Sequence, residues 1–112
     1  LNVMQRCSSH ICSKTDIDES VSIGAAGVRA AMKGESGKMM FFRRVSDVPY
    51  VVEIDSAPAC DVANKEKMFP KEWITPDGCD VTDSALKYFL PLIQGEVMPI
   101  MNNGMPTHLV IE

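Results

Sequence analysis

The 112-residue sequence contains no run of lysine and arginine, and its formal net charge is −4. Nucleic-acid binding needs cations that neutralise backbone phosphates, so a nucleic acid is not expected as the main partner, although a small anion site remains compatible with this charge. No stretch approaches the roughly 20 apolar residues of a membrane span. The N-terminus also lacks the basic region and apolar run of a signal peptide. These absences predict a soluble, cytoplasmic protein without a membrane partner.

The sequence also lacks the cysteine spacing of a zinc site, because none of its cysteines form a C-x-x-C pair. Structural zinc needs about four nitrogen or sulfur ligands, and Cys7, His10 and Cys12 supply at most three at irregular spacing. A reducing cytosol would keep the thiols unbridged. We therefore expect no metal and free, mostly buried cysteines, with zinc binding as the alternative. The four cysteines are Cys7, Cys12, Cys60 and Cys79.

The overall composition is that of an ordinary globular chain, with 46% hydrophobic and 23% charged residues. At this length it predicts one domain with a modest core. We find no internal repeat and no low-complexity segment. The first residues, "LNV", are strand-like and include no initiator methionine, so the chain is expected to be a piece of something longer.

The clearest periodic element is a helix predicted from Asp16 to Lys33. Asp16 followed by Glu19 makes a capping-box pattern, and Lys33 followed by Gly34 is a typical helix end. Apolar residues recur on one face at helical spacing, namely Ile17, Val21, Gly24, Val28 and Ala31 or Met32. The small residues of "GAAG" at 24–27 predict that this helix packs tightly against a sheet or another helix.

Two apolar runs after the helix predict strands. "KMMFFRR", from Lys38 to Arg44, is rich in large side chains and predicts a buried strand, and "YVVEID" at 50–55 predicts a second one. "SDVP" between them is expected to be a loop. From Ala59 the pattern through "CDVANKEKM" predicts a helix that stops before Pro70.

The last third of the chain predicts short helices and a turn. "PKEWI" predicts one helical turn that places Trp73 in the core, and a helix is expected from Thr82 to Gln94, closed by Gly95. Pro91 predicts a kink or an earlier end of that helix. The tail contains an Asn-Gly turn signal, which predicts a loop or a weak hairpin. The fold class expected is α/β, with helices packed on a short sheet.

Several residues resemble functional sites when taken singly. Lys38 follows "GESG", but a phosphate loop needs another glycine and a following Ser or Thr, so Lys38 is expected to be a solvated turn lysine. Glu53 and Asp55 alternate on a strand, yet nothing places a substrate between them. Arg6 follows a short strand-like stretch and precedes two serines. An arginine at a strand's end can grip a phosphate through two charge-assisted hydrogen bonds, or it can be an ordinary surface residue.

Longer stretches of the sequence resemble the C-terminal part of the phosphofructokinase family, with the greatest similarity to its pyrophosphate-dependent bacterial branch. The resemblance runs from about Val3 to Gly95, and the matching sequence motifs occur in the same order as in the family. They are "QRCSSHICSKTDIDESVSIGAAGVRAAMKGESGKMMFFRR", "DVANKEKMFPKEWI" and "YFLPLIQGE". The resemblance implies that residues 1–112 are a C-terminal segment of a three-layer α/β domain.

The resemblance also implies a role for the first residues of the chain. Family members have a segment ending in Gln-Arg at the edge of the sugar-phosphate site, where the arginine binds the 6-phosphate of fructose 6-phosphate. The matching residues are Gln5 and Arg6, preceded by Val3 and Met4. At the position of Val3 the family usually has Tyr or His, which can donate to the sugar phosphate, whereas valine cannot. On this basis Arg6 carries function, and the nearby cysteines and histidine are structural.

The family's catalytic motifs do not occur in the 112 residues: there is no Gly-Gly-Asp-Asp-type donor loop, no Thr-Ile-Asp-x-Asp loop and no Met-Gly-Arg motif. Phosphoryl transfer needs several such loops together with a metal, so the isolated chain is expected to be inactive. The resemblance implies that the complete enzyme phosphorylates fructose 6-phosphate in glycolysis. It implies a Mg²⁺ bound outside this segment, pyrophosphate or ATP as donor, and assembly into a homo-oligomer. The alternative is a non-catalytic α/β ligand-binding or oligomerisation module.

Overall fold

One long helix and the β-hairpin that follows it form the centre of the structure. A computed structural model describes residues 11–107. Its elements are α1 (Lys14–Met32), β1 (Lys38–Asp47), β2 (Tyr50–Pro58), α2 (Asp83–Phe89), β3 (Met101–Asn102) and β4 (Met105–Pro106). Short 3₁₀ helices lie at Ala59–Asp61, Lys71–Trp73 and Leu90–Ile93.

Helix α1 begins two residues before the predicted start. Its N-cap is Ser13, whose hydroxyl oxygen accepts a hydrogen bond from the backbone N–H of Asp16. The prediction that Asp16 opens the helix is therefore wrong, since a serine three residues earlier already satisfies that N–H. The predicted end is confirmed, because the helix stops at Met32 and Gly34 adopts a positive φ of 78°.

The two strands form an antiparallel hairpin that extends beyond both predicted strands. Pairing runs from Lys38 opposite Pro58 to Asp47 opposite Tyr50, with one extra residue, Val45, in a bulge. Residues 46 and 47 thus belong to β1 rather than to a loop, because their pairing continues up to the turn. The prediction of a buried first strand is also wrong, since every residue of β1 is half-buried or exposed.

Helix α1 covers one face of this hairpin. Ala26 and Ala30 lie beside Met40 and Ile54, and a Cβ added at Gly27 would lie 3.9 Å from the Met40 side chain. Small side chains therefore let the helix approach the strands closely, which confirms the predicted packing of the "GAAG" stretch on a sheet.

The predicted helix from Ala59 to Met68 is wrong. Only Ala59–Asp61 is helical, as a single 3₁₀ turn, and Asn64 has a left-handed φ of 59° that interrupts any continuation. The segment contains Cys, Asp, Val and Asn within six residues, which are all weak helix formers. The helical spacing of apolar residues was therefore the only feature of this segment that favoured a helix.

Aromatic side chains hold the second half of the chain together. Trp73 is half-buried and contacts the rings of Phe69, Tyr88 and Phe89 at centroid distances of 5.6, 4.8 and 5.8 Å. The predicted helical turn is confirmed, but Trp73 packs in an aromatic cluster and is only half-buried, so its predicted place in the core is wrong. Helix α2 follows Thr82 as predicted and ends at Phe89, so Pro91 marks the earlier end of the helix.

The tail forms the short hairpin β3–β4 around an Asn-Gly turn. Asn103 and Gly104 have φ values of 49° and 82°, the conformation that this dipeptide favours in two-residue hairpins. Of the two alternatives predicted for the tail, a loop or a weak hairpin, the hairpin is confirmed.

Few apolar side chains are fully buried in the described part of the structure. Between residues 11 and 107, Ala85 alone is a fully buried hydrophobic residue. Large apolar side chains such as Met32, Val48 and Met98 are 83%, 85% and 85% exposed. The segment thus leaves apolar side chains uncovered that the core of an independent domain would bury.

Candidate functional site

The predicted substrate-binding residues Val3, Met4, Gln5 and Arg6 lie outside the described residues, which begin at Ile11. Arg6 precedes Ile11 by five residues, a contour length of at most about 18 Å. The part of the structure relevant to their position is therefore the surroundings of Ile11 and Ser13. The role of these four residues stays a prediction.

The chain just after these predicted residues borders an open cleft of about 330 Å³. Glu96 is the only charged side chain among the described residues that line it, so this lining offers a phosphate one repulsive carboxylate and no cation. A sugar phosphate bound near this cleft would need a cation from elsewhere, which is the role predicted for Arg6. The lining residues are Ile11, Cys12, Ser13, Ile93, Gly95, Glu96, Val97 and Met98.

Ser13 fastens the start of α1 to the chain that follows α2. Its hydroxyl lies 2.7 Å from the carbonyl oxygen of Leu92 and 3.0 Å from that of Gln94, so its single hydrogen can be donated to either. The same oxygen accepts the capping bond from Asp16. One side chain thereby caps the helix and ties together two segments that are about 80 residues apart in sequence.

Backbone hydrogen bonds complete this junction. The N–H of Lys14 donates to Gly95 at 3.0 Å, and the N–H of Thr15 donates to Gln94 at 3.2 Å. These are among the first N–H groups of α1, which have no partner inside the helix. The junction therefore fixes the direction in which the chain enters α1, whose first residue is Lys14.

Gly95 is required at this junction for two reasons. Its φ is +79°, a conformation that side chains rarely adopt. A Cβ at this position would also lie 2.8 Å from the Cβ of Lys14, which is too close for any real contact. The sequence predicts Gly95 only as a helix terminator, whereas in the structure Gly95 also lies close to Lys14 of α1.

Arg44 joins the hairpin to α2 and was not identified as important from the sequence. Its guanidinium lies 4.7 Å from the ring centre of Tyr50 and 4.1 Å from that of Tyr88, and it donates to the carbonyl oxygen of Tyr88 at 2.8 Å. Asp47 lies 3.3 Å away as its carboxylate partner. The adjacent pair Arg43 and Arg44 could have indicated an inward-facing arginine, because successive side chains of a strand point to opposite faces of the sheet.

Tyr50 links the same cluster to α1. Its hydroxyl donates to the carboxylate of Glu19 at 2.6 Å. Partial burial, followed by this hydrogen bond to a carboxylate, raises the pKa of Tyr50 above its ordinary value. The neutral phenol is thus the form that the fold stabilises.

Glu53 and Asp55 both form ion pairs with the same arginine. Arg43 lies between them on the neighbouring strand, at 2.6 Å from Glu53 and 3.7 Å from Asp55, and all three side chains are more than half exposed. The pair is therefore part of a surface ion network with Arg43.

Lys38 is exposed, as predicted, but it is the first residue of β1 rather than a turn residue, and it forms an ion pair. Its ammonium lies 2.6 Å from the carboxylate of Glu35. This hydrogen bond and the lysine charge lower the pKa of Glu35. Lys38 thus has a local structural partner across the turn.

The cysteines differ from the prediction in one respect. Cys60 and Cys79 are exposed and Cys12 is only half-buried, so the expectation of mostly buried thiols is wrong for these three. Cys60 and Cys79 lie in turns on the outside of the fold rather than in a packed element. Cys7 and His10 lie outside the described residues, and within residues 11–107 no group of three His, Cys, Asp or Glu side chains could hold a metal.

The described part of the chain also contains no helix with both the length and the apolar character that crossing a bilayer requires. None of the family models searched matches the sequence.

Three curated proteins named pyrophosphate–fructose 6-phosphate 1-phosphotransferase match nearly the whole chain. The protein of Halomonas elongata is 42% identical over 103 residues, which cover 92% of this chain and 25% of that protein. Those of Methylococcus capsulatus and Xanthomonas campestris pv. campestris are 41% and 37% identical, over 96% and 97% of this chain and 26% of each relative. The chain thus spans about a quarter of the length of these relatives.

Two crystal structures have the same fold as the chain. The pyrophosphate-dependent phosphofructokinase of Nitrosospira multiformis matches 96% of this chain with a TM-score of 0.90 and 38% identity, over 27% of its own length. That of Marinobacter aquaeolei matches 99% with a TM-score of 0.88 and 33% identity, over 30% of its length. These matches confirm the predicted phosphofructokinase-like α/β fold, and the chain is a segment of the phosphofructokinase family.

Proposed function

We propose that these residues form part of a 6-phosphofructokinase that transfers a phosphoryl group from pyrophosphate to the 1-hydroxyl of fructose 6-phosphate. The products are fructose 1,6-bisphosphate and inorganic phosphate. The observation that supports this most directly is the 42% identity over 103 residues to a protein named for that reaction, together with a TM-score of 0.90 to a solved enzyme of the same type.

Within that enzyme, the segment contributes to sugar-phosphate binding rather than to the chemical step. Arg6, with Gln5 beside it, supplies the cation for the 6-phosphate, as the sequence resemblance implies. The junction of Ser13 with Leu92 and Gln94 supports this role, since it anchors the chain a few residues after Arg6. The Mg²⁺ that phosphoryl transfer requires is held by residues outside the segment, and the enzyme acts in the cytoplasm as a glycolytic homo-oligomer.

The small buried core disfavours the alternative of an independent non-catalytic module. An independent domain must bury enough apolar surface to offset its conformational entropy, whereas one hydrophobic residue is fully buried in the described part of this chain. Large side chains such as Val28 and Met32 are 61% and 83% exposed, as expected for a segment of a larger fold.

The proposal is tested with the complete enzyme chain that contains these residues. Formation of fructose 1,6-bisphosphate is followed through aldolase-coupled oxidation of NADH, with pyrophosphate and with ATP as donors. We expect turnover with pyrophosphate and none by the purified 112-residue chain. Absence of product with either donor would overturn the proposed activity, and turnover by the isolated chain would overturn its status as a non-catalytic segment.

A further inference from the structure

Most polar groups at the junction between the start of α1 and the chain after α2 are used inside the junction. The carbonyl oxygens of Leu92, Gln94 and Gly95 accept hydrogen bonds from residues 13–15 at the start of the helix. The carboxylate of Glu96, which lines the cleft of about 330 Å³, differs from them. None of the hydrogen bonds and ion pairs among the described residues involves this carboxylate. Glu96 is therefore available to a ligand in the cleft.

The backbone of Glu96 is fixed relative to the start of α1. Glu96 forms an antiparallel bridge with Ser13, and the N–H of Lys14 donates to the carbonyl oxygen of the preceding residue, Gly95, at 3.0 Å. The side chain of Glu96 is exposed at the cleft. A carboxylate on such a backbone presents acceptors at a defined place, because both of its oxygens accept hydrogen bonds and neither donates.

The negative charge of Glu96 determines which part of a sugar phosphate fits beside it. A phosphate is repelled by a carboxylate, whereas a sugar hydroxyl can donate a short, charge-assisted hydrogen bond to it. The apolar side chains of the lining, which can pack against the C–H groups of a sugar, are Ile11, Ile93, Val97 and Met98. The cleft therefore suits the hydroxyl-bearing carbons of a sugar phosphate and not its phosphate.

We propose that Glu96 binds secondary hydroxyl groups of fructose 6-phosphate, with the carbon chain of the sugar in the cleft and the 6-phosphate directed out of it. This inference rests on the proposed function, which supplies the substrate. Arg6, the residue predicted to bind the phosphate, precedes Ile11 of the lining by five residues, a contour length of at most about 18 Å. The cleft volume of about 330 Å³ lies within the range of about 300 to 1,000 Å³ that is usual for small-molecule sites. A cation at one end of the substrate and an anion at the other fix its orientation.

The first test compares Glu96→Gln with the wild type in the complete enzyme. Calorimetric titration with fructose 6-phosphate, in the absence of a phosphoryl donor, measures the equilibrium affinity. Glutamine keeps the shape of the side chain and removes its charge, so we expect the affinity to fall about ten- to a hundredfold, the range for a hydrogen bond to a charged group. Glu66→Gln is the matched control and should bind as the wild type does, because Glu66 is exposed and does not line the cleft.

The direction of the change separates this proposal from other roles of Glu96. Tighter binding by Glu96→Gln would place the phosphate in the cleft, since the substitution would relieve repulsion, and would overturn the proposal. Unchanged affinity would overturn it as well, by making Glu96 a surface carboxylate. Normal turnover of pyrophosphate together with unchanged binding would refute the role of Glu96 alone. Weaker binding by Glu96→Gln, when the wild type forms no fructose 1,6-bisphosphate, would refute the proposed reaction alone.

The second test uses epimers of the substrate to examine the hydroxyl contact directly. Tagatose 6-phosphate and psicose 6-phosphate differ from fructose 6-phosphate in the orientation of one secondary hydroxyl each. We expect the wild type to bind both epimers more weakly than fructose 6-phosphate. Glu96→Gln should lose most of this discrimination against at least one epimer, because two changes are coupled only when the changed groups interact. Equal weakening for all three sugars would indicate that Glu96 acts by holding Arg6, and would overturn the direct contact.

Discussion

Arg44 lies with its guanidinium 4.1 Å from the ring centre of Tyr88 and donates a hydrogen bond to the carbonyl oxygen of the same residue at 2.8 Å. One side chain of the hairpin thus contacts both the face of a tyrosine and the backbone of α2. Because the Arg44 side chain is only 16% exposed, little solvent screens these contacts. The hairpin and the aromatic cluster around Trp73 are joined here.

The first prediction is that Arg44→Met destabilises the complete enzyme by roughly 2 to 4 kcal/mol, from the loss of a charged hydrogen bond and a cation–π contact. Arg44→Lys should recover only part of the loss, because an ammonium lacks the planar fork. Denaturant unfolding measures the difference. Arg43→Met is the matched control on the opposite face of the strand, where exposed ion pairs contribute at most about 1 kcal/mol. Equal losses for the two arginines would contradict the assignment.

The contrast between these two arginines shows what could be predicted from the sequence. The alternation of β1 indicates that one of them faces inward, but the sequence does not show which one, because apolar residues occur on both faces of the strand. The helix, the strands, the Trp73 turn and the Asn-Gly hairpin were predicted because each has a local signal. The junction of Ser13 with Gln94 has no local signal, since its two sides are 81 residues apart.

The second prediction concerns Gly95. Gly95→Ala should destabilise the enzyme by more than the roughly 1 to 2 kcal/mol of a left-handed alanine, because the new Cβ would also clash with Lys14 at 2.8 Å. Gly104→Ala is the control, since Gly104 has a similar φ of 82° and open space around the Cβ position. Thermal unfolding of both variants checks the order. A Gly104→Ala variant as unstable as Gly95→Ala would show that the contact with Lys14 is unimportant.

The third prediction is that Ser13→Ala lowers the free energy of unfolding by about 0.5 to 2 kcal/mol, the range for a lost helix cap. The variant also loses the hydrogen bond that joins α1 to Leu92 and Gln94. Ser22→Ala is the control, because Ser22 is a solvent-exposed residue away from the ends of α1, and its hydroxyl donates to the carbonyl oxygen of Asp18 within the same helix. Alanine has the higher helix propensity there, so Ser22→Ala should be neutral or slightly stabilising. Destabilisation by Ser22→Ala as large as by Ser13→Ala would count against the junction.

The fourth prediction is a loss of stability at high pH caused by Tyr50. An unfolded tyrosine titrates near pH 10, and the folded pKa of Tyr50 is raised by burial and by its bond to Glu19. The stabilisation is therefore complete below about pH 10 and is lost as the pH rises through the folded pKa. The difference in unfolding free energy between wild type and Tyr50→Phe should be constant below about pH 10 and shrink as the pH rises above it. A difference that stays constant as the pH rises above about 10 would contradict the raised pKa.

The site was harder to predict than the fold, for a physical reason. Arg6 was identified through its resemblance to a family motif, because a single arginine at a strand's end has no chemistry that separates it from a surface residue. Helix α1 shows the converse limit. The period of Val21, Val28 and Met32 predicts a buried face, whereas these side chains are 68%, 61% and 83% exposed, because the described elements cover the other face of the helix.

The fifth prediction concerns Arg6 in the complete enzyme. If its guanidinium holds the 6-phosphate, Arg6→Ala removes a charge-assisted contact worth roughly 1.5 to 3 kcal/mol. The apparent affinity for fructose 6-phosphate should then fall by about ten- to a hundredfold, while the KM for the phosphoryl donor should hardly change. Arg6→Lys should restore part of the affinity, because it keeps the charge but not the two parallel hydrogen bonds.

Val3→Tyr provides the complementary test, since it restores the hydrogen-bond donor that the family usually has three residues before the arginine. Tighter binding of fructose 6-phosphate by this variant would place Val3 and Arg6 at the same phosphate. Kinetic titration of both variants against each substrate decides the matter. The assignment requires that the KM for the sugar phosphate changes while the KM for the donor does not. Loss of a merely structural arginine would change both KM values or neither. An unchanged KM for fructose 6-phosphate in Arg6→Ala would make Arg6 an ordinary surface residue.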